Sequence, residues 1–244
     1  MRKKLCIGLL AAASAGYLLH RQGKRWGATE DEVYRSLPGD DLVPHPMLET
    51  THAITIHASA ATIWPWLVQM GYDRGWWYTD ARWYRLVETT LWKAKPHTSA
   101  ERIIPELQRL AVGDTIPDGP PGTAFFTVAQ LQPQKALALY STTHILLMAP
   151  ASVRNHPRLG LYGNFSWVFV LDEQAEGVTR LIVRTRASYG PPLFRMLTLP
   201  LFYPGDFLLA RMMLRTIRQH VERGNGHLQA TEQVEATAGG ELPL

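Results

Sequence analysis

The clearest strand patterns in the chain are FSWVFVLD at Phe165–Asp172 and TRLIVRTRAS at Thr179–Ser188. In both, apolar residues alternate with other residue types, which is the period-two pattern of a β-strand with one buried face. The segment between them, Glu173–Gly177, is polar and ends in glycine, as is typical of a turn. The two stretches therefore predict an antiparallel pair of strands joined by a short loop.

Arginines occupy the face of the second strand that lies opposite Leu181 and Val183. Arg184 and Arg186 alternate with these apolar residues. A half-buried antiparallel strand turns such a charged face towards water. We expect both arginines to be solvated, and the alternative is that the faces are reversed and an arginine anchors an anionic headgroup.

The segments upstream of this pair predict more strands and one helix. Thr51–Ala58 alternates as a strand, and Ser59 follows it as a good N-cap for a helix through Gln69. Phe125–Leu131 and Lys135–Ser141 form a predicted hairpin, and His144–Pro150 is an apolar, strand-like run. Other expected helical stretches are Tyr78–Ala94 and Ser99–Arg109.

A long helix is predicted near the C-terminus. Phe207, Met213 and Ile217 belong to an apolar stripe at helical spacing, opposite a charged face. Gly224 is expected to cap this helix. The order of strand, helices, consecutive strands and final helix predicts an α+β fold, in which a bent antiparallel sheet wraps around the helix.

The two ends of the chain differ in composition from the middle. Residues 1–25 contain the apolar run Leu5–Leu19, which is flanked by arginine and lysine. The run is shorter than the roughly 20 residues that span a bilayer comfortably, so its length does not single out a membrane anchor. It fits an uncleaved membrane anchor, a cleaved signal of a secreted protein, or a soluble helix. Residues 26–223 are expected to form the domain. Residues 224–244 have few large apolar residues and predict a disordered tail.

Composition excludes several functional classes. The net charge of +4 is dispersed, and no nucleic-acid-binding motif is present, so we expect no nucleic-acid partner. Cys6 is the only cysteine, so neither an internal disulfide nor a cysteine metal cluster can form. The sequence also lacks histidine and carboxylate motifs for metals, phosphate-binding loops and a nucleophile elbow. We therefore predict no metal, no cofactor and no catalytic set.

Aromatic residues are concentrated between Trp64 and Trp83. This stretch holds five of the eight tryptophans of the chain. Such a density indicates a thick core or the wall of an apolar pocket. Trp64 and Trp66 fall on the predicted helix, whereas Trp76, Trp77 and Tyr78 follow Gly75 in a predicted loop.

The chain resembles the START-like or Bet v 1-like superfamily, also called SRPBCC or polyketide cyclase/dehydrase-like proteins. The resemblance rests on ITIHA at 54–58, IWPWLVQMG at 63–71, DRGWWY at 73–78, VGD at 112–114 and TRLIVRTR at 179–186. It covers about residues 26–223 and is closest to a largely uncharacterised bacterial branch. It implies a helix-grip fold that encloses an apolar cavity. Trp76 stands where relatives typically have glycine, and residues 141–164 match poorly.

The resemblance and the pattern together give a set of expected pocket residues. They lie on the first helix, in the aromatic loop, on the inner faces of the strands and on the last helix. They are Trp64, Met70, Trp76, Trp77, Tyr78, Phe125, Tyr140, Trp167, Phe169, Val183, Phe207 and Met213.

Three functions are compatible with these observations. The first is binding of a hydrophobic or amphipathic small molecule, such as a lipid, isoprenoid or polyketide-like compound, at a membrane. The second is a cyclase or dehydratase acting on a similar ligand, for which His144, Tyr140, Tyr78 and Asp80 are the candidate acid–base groups. The third is a domain with a collapsed, tryptophan-filled cavity that acts through its surface.

Overall fold

A curved, six-stranded antiparallel sheet forms the centre of the computed structural model, in the strand order β1-β6-β5-β4-β3-β2. The structure describes residues 23–80, 98–147, 149, 154, 156 and 160–238, and of residues 193–201 and 225–238 it describes the backbone only. The strands are β1 (Leu48–Ile56), β2 (Thr115–Pro117), β3 (Phe125–Gln132), β4 (Ala136–Ser141), β5 (Tyr162–Ala175) and β6 (Val178–Gly190). The two stretches that predicted an antiparallel pair are the cores of β5 and β6, which confirms that prediction.

Four α-helices and two single turns of 3-10 helix accompany the sheet in the described part of the chain. The helices are α1 (Glu30–Tyr34), α2 (Ala60–Val68), α3 (His144–Leu147) and α4 (Pro192–Ala238), and the 3-10 turns are Asp40–Leu42 and Pro105–Leu107. Ser59 caps α2 as predicted, because its side chain accepts a hydrogen bond from the Thr62 amide at 3.3 Å.

The core lies between the inner face of the sheet and α4. The buried residues Met213, Leu214, Ile217 and Val221 of α4 pack here against apolar side chains of α2 and of all six strands. Their spacing is that of one helix face, which confirms the predicted apolar stripe. The architecture is therefore the α+β helix-grip arrangement that the sequence predicted.

The outer face of the sheet is covered by residues 26–47, which we call the N-terminal arm. Arg184 is only 2% exposed there. Its guanidinium donates hydrogen bonds to the carbonyl oxygens of Glu32, Val33 and Arg35 and to the carboxylate of Asp40, at 2.7 to 3.0 Å. The expectation that Arg184 is solvated is therefore wrong, because the arm replaces water as the acceptor of its hydrogen bonds.

Arg186 is also held by the arm rather than by solvent. It donates to the Asp40 carbonyl at 2.6 Å and to the Glu49 carboxylate at 2.6 Å, and its side chain is 16% exposed. The arm is tied down further by a Glu32–Arg180 ion pair of 2.7 Å. These charges lie on the outer face. The space between the inner face of the sheet and α4 is called the grip below, and the alternative that an arginine points into it is wrong as well.

Three predicted boundaries differ from the structure. The apolar run at His144–Pro150 begins with the helix His144–Leu147 instead of a strand, and Ser99–Arg109 contains only the turn Pro105–Leu107. The last helix continues past Gly224 to Ala238. A glycine inside a helix costs only about 1 kcal/mol relative to alanine, so Gly224 alone does not end it.

Several predictions fall on residues outside the description. The apolar run Leu5–Leu19 and most of the predicted helix Tyr78–Ala94 are among them. Within the described ranges, no helix combines the length and the apolar character needed to cross a membrane. The division of the chain into residues 1–25, 26–223 and 224–244 stays a prediction.

Candidate functional site

The aromatic loop after α2 is a tight turn with an unusual backbone. Gly71 and Trp76 pair as an isolated β-bridge, and Asp73, Trp76 and Tyr78 all adopt φ between 56° and 61°. Residues other than glycine rarely occupy this left-handed region, and bulky residues are genuine outliers there. The surrounding contacts must therefore hold the loop in place.

Buried polar side chains supply those contacts. Gln69 donates to the Tyr78 hydroxyl at 2.8 Å, and its side-chain oxygen accepts from the Ile104 amide at 2.9 Å. The Tyr78 hydroxyl donates in turn to the Trp66 carbonyl at 3.2 Å. Arg74 donates to the carbonyls of Val68 and Met70 at the end of α2. This network holds the loop in place. Trp77, which lies in the loop beside Tyr78, is buried.

Five rings pack together on the inner face of the sheet. We call them the aromatic cluster: Trp77, Phe126, Phe165, Trp167 and Phe169. The centroid of Trp77 lies 5.1 Å from that of Trp167 and 5.8 Å from that of Phe126, and Trp167 lies 5.1 Å from Phe169. These tilted and edge-on arrangements are the favourable ones for aromatic rings.

Two indole groups of the cluster are buried without hydrogen-bond partners. Nε1 of Trp77 and Nε1 of Trp167 have no acceptor in the part of the chain that the structure describes. A buried tryptophan usually has an acceptor for its N–H, and each unsatisfied buried donor costs about 1 to 3 kcal/mol. Two such donors on neighbouring rings make the cluster unlike an ordinary apolar core.

His144 lies at the edge of the aromatic cluster. Its ring centroid is 4.0 Å from that of Phe126 and 5.5 Å from that of Phe165. Nε2 lies 2.8 Å from the carboxylate of Asp118, and Nδ1 lies 2.7 Å from the Ser141 hydroxyl. Of the four acid–base candidates predicted from sequence, His144 is the one that packs against the cluster.

The relay Asp118–His144–Ser141 contains the residue types of a serine hydrolase triad. A carboxylate only accepts hydrogen bonds, so Nε2 of His144 donates to Asp118. In the neutral ring Nδ1 then accepts from Ser141. The Ser141 oxygen also accepts from the Thr143 amide at 3.1 Å and is buried in the turn that starts α3. Ser141 is therefore engaged in the turn, and its geometry supports a structural role.

A second histidine–carboxylate pair connects β1 to α4. Nε2 of the fully buried His52 on β1 is 3.0 Å from Oδ2 of Asp206 on α4. The same carboxylate accepts from the Thr50 hydroxyl at 2.6 Å and from the Thr185 hydroxyl at 3.2 Å. Neither residue was singled out from the sequence, because no local motif connects a histidine on a strand to an aspartate on the last helix.

The structure brings most of the expected pocket residues to one region. The residues on or beside the inner core are Trp64, Met70, Trp76, Trp77, Tyr78, Trp167, Phe169, Val183 and Met213. Phe207 lies on α4, with its ring centroid 6.4 Å from that of His52.

Two expected residues lie elsewhere. Phe125 is 39% exposed, and its neighbour Phe126 is the ring that enters the cluster. Tyr140 lies on the outer face, where it donates to Asn164 at 2.6 Å.

Of the other acid–base candidates, Tyr78 is buried in the Gln69 network and Asp80 accepts from the Ser99 amide. Burial, the largest effect, raises the pKa of Tyr78 far above its usual value.

Two concavities in the described part of the chain lie outside the space between the inner face of the sheet and α4. One, of about 430 Å³, lies between the arm and the outer face, beside Glu32, Arg35 and Arg180. The other, of about 560 Å³, lies beside the β3–β4 turn, near Gln134 and Leu37. Neither is lined by a residue of the aromatic cluster.

No family model and no curated protein matches the chain. Among solved structures it is similar to norcoclaurine synthase from Thalictrum flavum, with 14% identity over 77% of this chain and 94% of that one and a TM-score of 0.40. It is also similar to a protein from Mesorhizobium loti, with 17% identity over 72% and 98% of the two chains and a TM-score of 0.39. At these TM-scores the likenesses carry no argument about function.

Proposed function

We propose that the protein binds a small, largely apolar molecule between the inner face of the sheet and α4, at the aromatic cluster. The observation that carries this proposal is the pair of buried indole N–H groups of Trp77 and Trp167, which have no acceptor among the described residues. Ligand sites combine apolar and aromatic walls with a few convergent polar groups. The cluster has that composition, and its polar groups are hydrogen-bond donors.

The unpaired donors specify one property of the ligand. An acceptor oxygen placed between the indoles would satisfy groups that otherwise remain buried at a cost. The expected ligand therefore has a flat apolar body, which packs on the rings, and a carbonyl or ether oxygen. A hydrocarbon of the same shape would gain the free energy of apolar burial, about 25 cal/mol per Å² of buried surface, but it would not form the hydrogen bond.

Entry of a ligand requires side chains of the cluster to move, because its rings are in contact with each other. Trp77 lies between Trp76 and Tyr78, whose φ angles are 61° and 59°, and three of the four non-glycine residues with positive φ in the described backbone lie at 73–78. Strained segments of this kind are concentrated at binding sites and switch regions. Displacement of Trp77 by the ligand is the opening that we propose.

Two naphthalenes of similar shape test the proposal. Titration calorimetry with 2-acetylnaphthalene, which carries an acceptor, and with 2-ethylnaphthalene, which does not, should show about tenfold tighter binding of the ketone. Trp77→Phe and Trp167→Phe should each reduce that preference, whereas Trp64→Phe, which changes a half-buried tryptophan on α2, should preserve it. Failure of wild-type protein to bind either compound would contradict the proposal.

Acid–base conversion of the bound molecule is the second candidate function. The observation that favours it is His144, which packs against the cluster and is oriented by the carboxylate of Asp118 at 2.8 Å. A histidine oriented in this way is a common general acid or base, and in this role Nδ1 would exchange its hydrogen bond with Ser141 for one with the ligand. If the candidate is right, His144→Gln should abolish turnover of a bound ligand while leaving its affinity within a few fold.

The proposed location is a membrane surface, reached through residues 1–25. The support is the apolar run Leu5–Leu19 with its flanking positive charges. Fractionation of cells that express the full chain tests this location. Recovery in the membrane fraction, with loss from it when residues 1–25 are deleted, is expected, and recovery of the full chain as a secreted protein would contradict it.

A further inference from the structure

Four polar side chains from three elements meet inside the grip, and the proposed function so far uses none of them. Thr50 and His52 come from β1, Thr185 from β6 and Asp206 from α4. We call this group the His52 cluster. His52 is fully buried, and the side chain of Asp206 is 12% exposed.

The hydrogen bonds assign a proton to one nitrogen of His52. The carboxylate of Asp206 can only accept, and it receives the hydroxyls of Thr50 and Thr185 as well as Nε2 of His52. Nε2 therefore carries a hydrogen. In the neutral imidazole, Nδ1 is then an acceptor with a free lone pair.

Nδ1 of His52 is buried and has no hydrogen-bond partner among the described residues. This separates His52 from His144, in which Asp118 and Ser141 occupy both ring nitrogens. Burial of a polar atom without a partner is unfavourable, and a site that required only packing would be better filled by an apolar ring. The hydrogen bond between Nε2 of His52 and Asp206, whose carboxylate Thr50 and Thr185 also hold, thus leaves one acceptor of the imidazole without a partner.

The register of the sheet places His52 two strands away from the residues that β5 contributes to the aromatic cluster. Thr185 on β6 pairs with Thr50 on one side and with Trp167 on the other. One strand therefore separates β1 from β5, and their axes are about 10 Å apart. That distance corresponds to the length of a bicyclic aromatic molecule with one oxygen substituent at each end.

We propose that Nδ1 of His52 accepts a hydrogen bond from a hydroxyl group of the ligand. The inference rests on the proposed binding function and deepens it by naming the ligand class. The ligand is a flat, hydroxylated aromatic or polycyclic compound, whose hydroxyl meets His52 and whose acceptor oxygen meets the indoles of Trp77 and Trp167. Asp206 acts as a positioning residue that fixes the tautomer of His52.

A phenol and its methyl ether test the inference on the full-length chain. 6-Acetyl-2-naphthol has a hydroxyl donor, and 2-acetyl-6-methoxynaphthalene has the same ring and ketone without it. Calorimetry on wild-type protein should show about tenfold tighter binding of the phenol, which is the effect of one buried hydrogen bond. In His52→Phe the two affinities should become equal, whereas the exposed control His57→Phe should retain the difference.

Nitrogen NMR of wild-type protein labelled with 15N-histidine tests the same point without a substitution. Nε2 of His52 should be protonated and Nδ1 unprotonated, and only the phenol should shift the Nδ1 resonance. A protonated Nδ1 in the free protein, or an Nδ1 that the bound phenol leaves unchanged, would overturn the inference.

The outcomes separate the two proposals. If wild-type protein binds phenol and ether equally, the His52 subsite is excluded and the proposed binding function stands. If it binds neither compound, the binding function itself fails, and the subsite fails with it.

Discussion

The ring of His144 lies against the ring of Phe126, with centroids 4.0 Å apart and planes 31° from parallel. One face of the imidazole is therefore apolar, while its two nitrogens are held by Asp118 and Ser141. The contact joins a polar relay at the edge of the sheet to the aromatic cluster. It also makes Phe126 a central packing residue of the site.

Two adjacent phenylalanines should differ sharply when each is replaced by alanine. Phe126 is 1% exposed and Phe125 is 39% exposed. Phe126→Ala should lower the free energy of unfolding by about 3 to 5 kcal/mol, because it leaves a cavity among packed rings. Phe125→Ala should cost less than about 1 kcal/mol. Urea denaturation measures both, and equal losses would contradict the assigned faces of β3.

The arginine under the N-terminal arm should be essential for stability. Arg184→Ala removes a buried cation that donates to the arm and to Thr51, and it should lower the free energy of unfolding by about 3 to 5 kcal/mol. The matched control is Arg218→Ala, which breaks an exposed pair with Glu222 and should cost about 0.5 kcal/mol or less. If the two variants have the same urea midpoint, the arm is not docked as described.

His220 should make the protein less stable in acid. It stacks on Trp66 with centroids 5.1 Å apart, and burial, aided by the positive charge of Arg223, lowers its pKa, although Asp80 and Glu101 oppose the shift. The unfolded chain then binds the proton more readily, so the contribution of His220 is complete above the ordinary pKa of about 6.5 and is lost as the pH falls through the folded value.

A variant that keeps the stack isolates this effect. His220→Phe retains an aromatic ring against Trp66 but cannot take up a proton. Thermal melts at about pH 7.5 and about pH 5, on either side of the ordinary histidine pKa, should show a smaller acid-induced drop in Tm for the variant than for wild type. An identical drop in both proteins would show that His220 has no such role.

The sequence predicted those parts of the fold that depend on local pattern. The alternation in Phe165–Asp172 was sufficient to place β5 and its inner face, and Ser59 was recognisable as a helix cap. The inner face of β3 could not be predicted in this way. The pairing of β3 and β4 has an irregularity between Val128 and Gln130, so counting back in twos from Leu131 arrives at Phe125 instead of Phe126.

The rest depended on contacts between distant parts of the chain. Alternation puts Arg184 on the outer face of β6, but only the folded arm shows that this face is covered. His52 and Asp206 are 154 residues apart and meet because α4 crosses β1. The signal in the sequence is a histidine on the inner face of the first strand and an aspartate on the last helix, which could have been proposed as a buried pair.

The indole 1H–15N spectrum of the full-length chain shows whether the indoles of Trp77 and Trp167 bind a ligand oxygen. The two signals are assigned from the Trp77→Phe and Trp167→Phe variants. On saturation with 2-acetylnaphthalene both should shift as their hydrogens enter hydrogen bonds, whereas 2-ethylnaphthalene should not produce that shift. Two indole signals that the ketone leaves unchanged would contradict the claim.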